Sequence, residues 1–273
     1  MVVQARWRVA VGAVPVSHRP PVTRQAFTLA QEQQRELLGP AHPKIANTLN
    51  NLGVLLSKRE RFREAEPLLR ESLAMARKLH GDQHPTVATG MGQLGNTLAR
   101  QGRHDEAEPL YVEALAIRRA SLAPGHPHIA VSLNQLANLY REQHDFARAE
   151  PLYHEAIAAS SESVGAEHHW TVAMTGNLGM MYLLAERPGD AEEALREVLR
   201  IHLKTLPEDH WRVADARSKV GAALVEQGML DAAEPLLETG YTGLKQALGE
   251  EDPNTREARR RLARWREARD AGA

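Results

Sequence analysis

The chain has 273 residues, 42 % apolar, 25 % charged and only 4 % aromatic, the proportions of a soluble helical protein. No window approaches the roughly 18 unbroken apolar residues that a membrane span needs, and a formal net charge of −1 gives no overall field to recruit nucleic acid or an anionic membrane. Zero cysteines exclude disulfides, thiolate metal sites and a cysteine nucleophile.

Residues 1–22 are irregular, with valines scattered among Arg6, Arg8, Arg19 and Pro20-Pro21. The apolar run from Val9 to Val16 is broken by Pro15 and lacks a clean small-x-small cleavage site, so a frayed or disordered tail is expected ahead of a secretion signal. A degenerate helix is the alternative, with Trp7 where Leu49 falls one unit later. Residues 23–40 turn helical, and Arg35-Glu36-Leu37-Leu38-Gly39 aligns with Arg77-Lys78-Leu79-His80-Gly81. This predicts an incomplete unit that caps the array.

From residue 41 one grammar repeats with a fixed period. Ala65-Glu66-Pro67-Leu68 returns as Ala107-Glu108-Pro109-Leu110, Ala149-Glu150-Pro151-Leu152 and Ala233-Glu234-Pro235-Leu236, with a worn copy at Ala191-Glu192-Glu193-Ala194. Leu52-Gly53, Leu94-Gly95, Leu136-Ala137, Leu178-Gly179 and Val220-Gly221 keep the same step, as do His42-Pro43, His84-Pro85, His126-Pro127, His168-His169 and His210-Trp211. Three phrases in one register define five units, 41–82, 83–124, 125–166, 167–208 and 209–250, followed by a half unit at 251–273. In the first unit Ile45, Leu49, Leu52, Leu55 and Leu56 form the apolar face of a helix. A break at Lys58 to Arg61 ends it, and a second helix starts near Phe62 to Glu64. Two antiparallel helices on so short a link make a hairpin, and stacked hairpins make a solenoid.

The fixed letters have physical reasons. Small residues at Gly53, Gly95, Ala137, Gly179 and Gly221, and at Ala65 and its counterparts, let paired helices approach closely. Pro67, Pro109, Pro151 and Pro235 mark the first turns of the second helices. In the fourth unit Glu193 replaces that proline and Pro188-Gly189 occupies the turn, which predicts a local change of bend. The periodic histidines read as helix N-caps, because the sixth copy is Asp252 and proline follows in most copies. Copies one unit apart are about 10 Å from each other at helix-packing distance, too far to share a metal ion.

These units resemble the tetratricopeptide-type repeat of kinesin light chains and many bacterial repeat proteins, on the strength of His-Pro, Leu49-Asn50-Asn51-Leu52-Gly53, Ala107-Glu108-Pro109-Leu110-Tyr111 and Ala114-Leu115-Ala116-Ile117. The resemblance covers roughly residues 24–265. It implies an all-α, right-handed superhelix whose first helices line a concave face that takes extended peptides. The long heptad coiled coil of true kinesin light chains is missing, so coupling to a motor is not implied. Arginine far outnumbers lysine, as in a high-GC, bacterial genome.

On that concave face a helical wheel places Asn47, Asn50 or Asn51, Val54 and Ser57, then Thr89, Gln93 and Asn96, then Asn134, Gln135, Asn138 and Arg141, then Asn177 and Met180, then Asp215 and Lys219, then Arg261 and Arg264. Amides offer a donor and an acceptor to the backbone of an extended chain. Lys219, Arg261 and Arg264 suit an acidic side chain or a C-terminal carboxylate. Solvated polar faces are the plain alternative.

No phosphate loop, dinucleotide fingerprint or nucleophile elbow is present, and His154-Glu155-Ala156-Ile157-Ala158 lacks the second histidine of a zinc-protease helix. Tyr111, Tyr140, Tyr153 and Tyr182 share core positions with leucines and read as packing. Seven arginines lie between Arg256 and Arg269, with Leu262, Ala263 and Trp265 on the apolar side, which predicts an end cap. The expectation is a cytoplasmic, non-catalytic protein-interaction scaffold without cofactor or metal, binding a protein or peptide. The alternatives are a sensor whose curvature changes on binding a small signalling peptide or metabolite, and contact with nucleic acid or an acidic partner through the arginine-rich end.

Overall fold

The structure, a computed structural model, describes residues 41–272. The expectations for residues 1–22 and 23–40 lie outside the described residues. Eleven helices follow one another: α1 (Pro43–Lys58), α2 (Phe62–His80), α3 (Pro85–Ala99), α4 (His104–Ser121), α5 (Pro127–Glu142), α6 (Phe146–Val164), α7 (His169–Leu184), α8 (Pro188–Thr205), α9 (Trp211–Glu226), α10 (Leu230–Leu248) and α11 (Pro253–Gly272). There is no strand among the described residues. Each helix packs on its neighbours in sequence, and the first helices α1, α3, α5 and α7 also touch in succession. The chain is a solenoid, and its core is a continuous seam.

The local chemistry of each start is visible. His42, His84, His126, His168 and His210 are extended N-caps whose Nδ1 accepts the backbone N–H two residues on, at 3.1–3.3 Å. Asp252 does the same through Oδ1 at 2.8 Å. The periodic histidines are caps, as expected.

Inside each hairpin the turn needs one left-handed residue, and the register supplies it at a fixed place. Glu60, Gly102, His144, Glu186 and Gly228 take φ of 61°, 73°, 58°, 56° and 74°. Only two of the five are glycine, so three units hold a side chain in a conformation that disfavours it. The fourth unit keeps this turn, and Pro188 simply opens α8 as its first residue. Pro67, Pro109, Pro151 and Pro235 are each the sixth residue of their helix. That lies past the four residues whose N–H groups lack a helical partner, so each proline forgoes one helical hydrogen bond.

Close approach explains the small residues. A Cβ on Gly53, Gly179 or Gly221 would fall 2.6–2.7 Å from Cγ of Leu69, Leu195 or Leu237, and one on Gly95 would fall 2.7 Å from Cε1 of Tyr111. The glutamate of the repeated phrase joins one unit to the next. Glu66 accepts from Arg103 Nη1 at 2.8 Å, Glu108 from Tyr140 OH at 2.8 Å, Glu150 from Tyr182 OH at 2.9 Å and Arg187 Nη1 at 2.7 Å, and Glu192 from Gln227 Nε2 at 2.7 Å. Burial alone would raise the Glu150 carboxyl, but the hydrogen bonds from Arg187 and Tyr182 hold it below the ordinary range.

Helix α11 closes the described array. Trp265 is 2 % exposed and donates its indole N–H to Leu230 O at 2.9 Å, with Ala258 and Leu262 buried beside it. One sequence expectation is corrected at the other end: Leu55, assigned to the apolar face of α1, is 47 % exposed. It sits where Thr97, Leu139, Met181 and Ala223 are buried in the units that have a described predecessor.

Candidate functional site

The polar residues of the first helices fall on two register positions. One reads Asn51, Gln93, Gln135, Asn177, Lys219, Arg261, and the other reads Val54, Asn96, Asn138, Met180, Ala222, Arg264. The fold gathers the middle of both rows. Gln93 and Asn96 of α3, Gln135, Asn138 and Arg141 of α5 and Asn177 of α7 line one cavity of ≈ 330 Å³, with Val54, Ser57 and Lys58 of α1 and Arg100 and Glu142 at its edges. Asn134 lies just behind, accepting from Asn177 Nδ2 at 3.1 Å. Asn47, Asn50 and Asn51 lie on α1 outside this cavity.

The orientation of the amides is set from the second helices. Tyr111 OH donates to Asn96 Oδ1 at 2.7 Å and Tyr153 OH to Asn138 Oδ1 at 2.6 Å. Gln135 Nε2 also donates to Asn96 Oδ1, at 3.1 Å. With each carbonyl oxygen held from behind, the two Nδ2 groups carry no protein partner among the described residues and remain as donors at the cavity. Burial pushes both phenols up, Tyr153 to about 12, so each stays protonated and acts as the donor. Sequence reasoning took these tyrosines as packing alone. Their hydroxyls are the part it missed, and a signal was present. Where the second helix has tyrosine (Tyr111, Tyr153) the first has asparagine (Asn96, Asn138); where it has leucine (Leu69, Leu195, Leu237) the first has Val54, Met180 or Ala222.

The cationic end is not free. Lys219 Nζ lies 2.7 Å from Asp215 Oδ2, Arg264 Nη2 lies 2.8 Å from Glu226 Oε1, and the partly buried Arg261 has Nη1 3.3 Å from Ser218 Oγ and 4.0 Å from Asp215 Oδ1. Lys219 and Asp215 pair within one helix, whereas Arg261 and Arg264 reach from α11 to α9. Arg256, Arg260 and Arg269 on α11 are likewise engaged by Glu251 O, Glu257 and Glu234.

A second cavity of ≈ 250 Å³ opens between α7, α8 and α9, lined by His169, Trp170, Gly176, Val198, His202, Trp211, Arg212 and Lys219, and it shares Asn177 with the first. Here the first helices draw apart, for α7 and α9 barely touch. Trp170 is 39 % exposed. Burial, with Arg212 next in effect, lowers the His202 imidazole. No group of three or more His, Asp or Glu able to hold a metal occurs among the described residues. The arrangement offers fixed hydrogen-bond donors and apolar walls.

The family model described as tetratricopeptide repeat matches residues 18–78, 58–120, 86–162 and 128–204, more than half of the chain. The fifth unit lies beyond the matched residues yet has the same hairpin. No curated protein matches the sequence. Among solved structures, BtubC (BKLC) from P. vanneervenii superposes with a TM-score of 0.70 at 23% identity, over 84% of this chain and 92% of its own. The nearly identical TPR-like repeats of kinesin light chain type from Podosopora anserina give 0.66 at 23%, over 75% and 97%. The apo form of the quorum sensor NprR from B. thuringiensis gives 0.65 at 14%, over 98% and 68%. At such identities the likeness is one of fold.

Proposed function

Because the chain belongs to the tetratricopeptide repeat family, whose fold suggests a protein-interaction scaffold, we propose that it is a non-catalytic module holding an extended segment of a partner protein along its first helices. The observation that carries this reading is the fixed pair Asn96 and Asn138, whose carbonyl oxygens are taken by Tyr111 and Tyr153 while their N–H groups stay open at one cavity. Lengthwise binding follows from the register: equivalent donors on successive units, about 10 Å apart, meet backbone carbonyls about three residues apart along an extended ligand. Lys58, Arg100 and Arg141, set against Glu142, select among its side chains. Ordering an extended peptide costs conformational entropy, so affinity for a single segment is modest. No described helix is long and apolar enough to cross a membrane.

The test is a display selection of random peptides against the parent protein and against Asn96→Ala/Asn138→Ala, after equal helicity and melting are confirmed. Peptides enriched by the parent and not retained by the variant support the reading. Equal capture by both, or capture by neither, rejects it.

A further inference from the structure

We propose that the cavity between α7, α8 and α9 is a binding site of its own, taking a small planar aromatic carboxylate. The proposal does not depend on the peptide reading above. It stands on the walls of the cavity, on its charge and on its place in the array.

The walls are apolar and flat. Val172 of α7 and Val198 of α8 are 2 % and 6 % exposed and pack with Ala216 of α9, and all three line the cavity. Gly176 adds no side chain there, and the nearest atom to a Cβ placed on it is Val198 Cγ2 at 3.9 Å. Trp170 and Trp211 complete the lining. Trp170 is braced by edge contacts with His168 and His169, at 5.3 Å and 5.6 Å between ring centroids, and Trp211 stacks on His210 at 5.9 Å. Indoles braced in this way and still lining a cavity offer a ready stacking surface to a flat ligand.

The charge is positive and unmatched. Arg212 and Lys219 line the cavity with Asp215 as the one acid. Asp215 already has Lys219 Nζ at 2.7 Å and Arg261 Nη1 at 4.0 Å. Arg212 lies over the Trp211 ring at 5.1 Å and has no acid partner among the described residues. His202 feels the same field: burial first and Arg212 next lower its imidazole, His210 and Lys219 add to them, and Asp215 opposes. Asn177 spends its Nδ2 on Asn134 and keeps a carbonyl oxygen, an uncharged acceptor that leaves this balance unaltered. An unpaired guanidinium beside an indole suits a carboxylate carried on a ring, which it meets with charge-assisted hydrogen bonds.

The place is a break in the array. Successive first helices touch everywhere among the described residues except between α7 and α9, which draw apart. That gap falls in the two units whose caps are followed by His169-Trp170 and Trp211-Arg212 in place of proline. At ≈ 250 Å³ the cavity is smaller than the sites of drug-sized ligands, which begin at about 300 Å³, so it suits one ring system with its acid group.

The experiment is calorimetric titration of the full chain with naphthoate, its uncharged amide naphthamide, cyclohexanecarboxylate and the capped dipeptide acetyl-Trp-Asp-amide. Naphthoate is expected to bind about tenfold more tightly than naphthamide or cyclohexanecarboxylate. Arg212→Gln should bring naphthoate down to naphthamide, and Trp170→Ala should weaken both alike. Both positions are exposed, and equal melting confirms that the variants keep the fold. Asn96→Ala/Asn138→Ala should bind naphthoate as the parent does. No binding of naphthoate, no preference for it, or a preference that survives Arg212→Gln overturns the proposal. Loss of naphthoate binding in Asn96→Ala/Asn138→Ala also overturns it and assigns the cavity to the peptide groove. Tighter binding of the dipeptide than of naphthoate, lost in Trp170→Ala, overturns the small-molecule ligand and makes the cavity a subsite for a partner's side chains.

Discussion

Asn96 and Tyr111 form a pair whose energetics the protein has already sampled elsewhere, since unit one carries Val54 and Leu69 at the same two positions. Substituting Asn96→Val alone strands the Tyr111 hydroxyl, which donates at 2.7 Å and belongs to a residue 2 % exposed. A buried hydroxyl without its acceptor costs about 1–3 kcal/mol. Tyr111→Leu alone removes the hydroxyl and part of the ring, and a loss of about 1–3 kcal/mol is expected from the smaller buried volume. In the double variant no orphan hydroxyl remains, and leucine over glycine is the packing seen at Leu69 on Gly53. The double variant should therefore be more stable than the sum of the singles by about 1–2 kcal/mol. Urea unfolding followed by circular dichroism measures it, with an unchanged slope showing that the same cooperative unit is compared. Additivity within about 0.5 kcal/mol would refute the view that the tyrosine exists to hold the asparagine.

Three further expectations follow from the geometry. At the left-handed turn positions, Glu186→Gly and His144→Gly should stabilise the array by about 0.5–1 kcal/mol each, because glycine takes positive φ without steric cost; a lower urea midpoint would contradict the turn argument. Trp265→Ala should cost about 3–5 kcal/mol and, since stability in a solenoid is local, should raise hydrogen exchange in α10 before α4; uniform acceleration along the array would show that α11 is not acting as an end cap. His202 is lowered by burial first and by Arg212 second, so the folded state favours its neutral form. Its contribution is present above the unfolded value of about 6.5 and is lost as pH falls below it. The thermal midpoint should drop between pH 7.5 and 5.5, and drop less in His202→Asn; identical drops would remove His202 from the account.

The architecture was legible because it is written several times over. The histidine caps, the close-packed glycines and the end cap each followed from one residue type recurring at one register position, where averaging over units removes the ambiguity of a single helix. Position 55 was misread for the complementary reason: periodicity within α1 places Leu55 on the apolar side, but whether that side is covered depends on the preceding helix. The candidate residues of the wheel fall into two groups. Gln93, Asn96, Gln135, Asn138, Arg141 and Asn177 meet around one cavity, whereas Lys219 pairs with Asp215 on its own helix and Arg261 and Arg264 bond to Ser218 and Glu226 of α9. A helical wheel shows direction, not partners. The phrase glutamates and the tyrosine hydroxyls were unread because their bonds run between helices.

Capping and packing leave two rows of the repeat free to vary. Every first helix retains its histidine or aspartate cap, yet the following proline is absent from His168-His169 and His210-Trp211. The cap still closes those helices, with Nδ1 accepting at 3.3 Å and 3.1 Å, so the proline there is dispensable and its position is free to vary. In those two units His169 and Trp211 stand in its place, Trp170 follows His169, and a cavity opens. The same holds at the asparagine row, where Val54, Met180 and Ala222 share a unit with leucine and Asn96 and Asn138 bond to tyrosine, beside Gly95 in one unit and Ala137 in the other. Because each unit touches only its neighbours, one such pair can be rewritten without loosening the rest. The histidine caps and the packed seam are thus kept while the proline and asparagine rows vary.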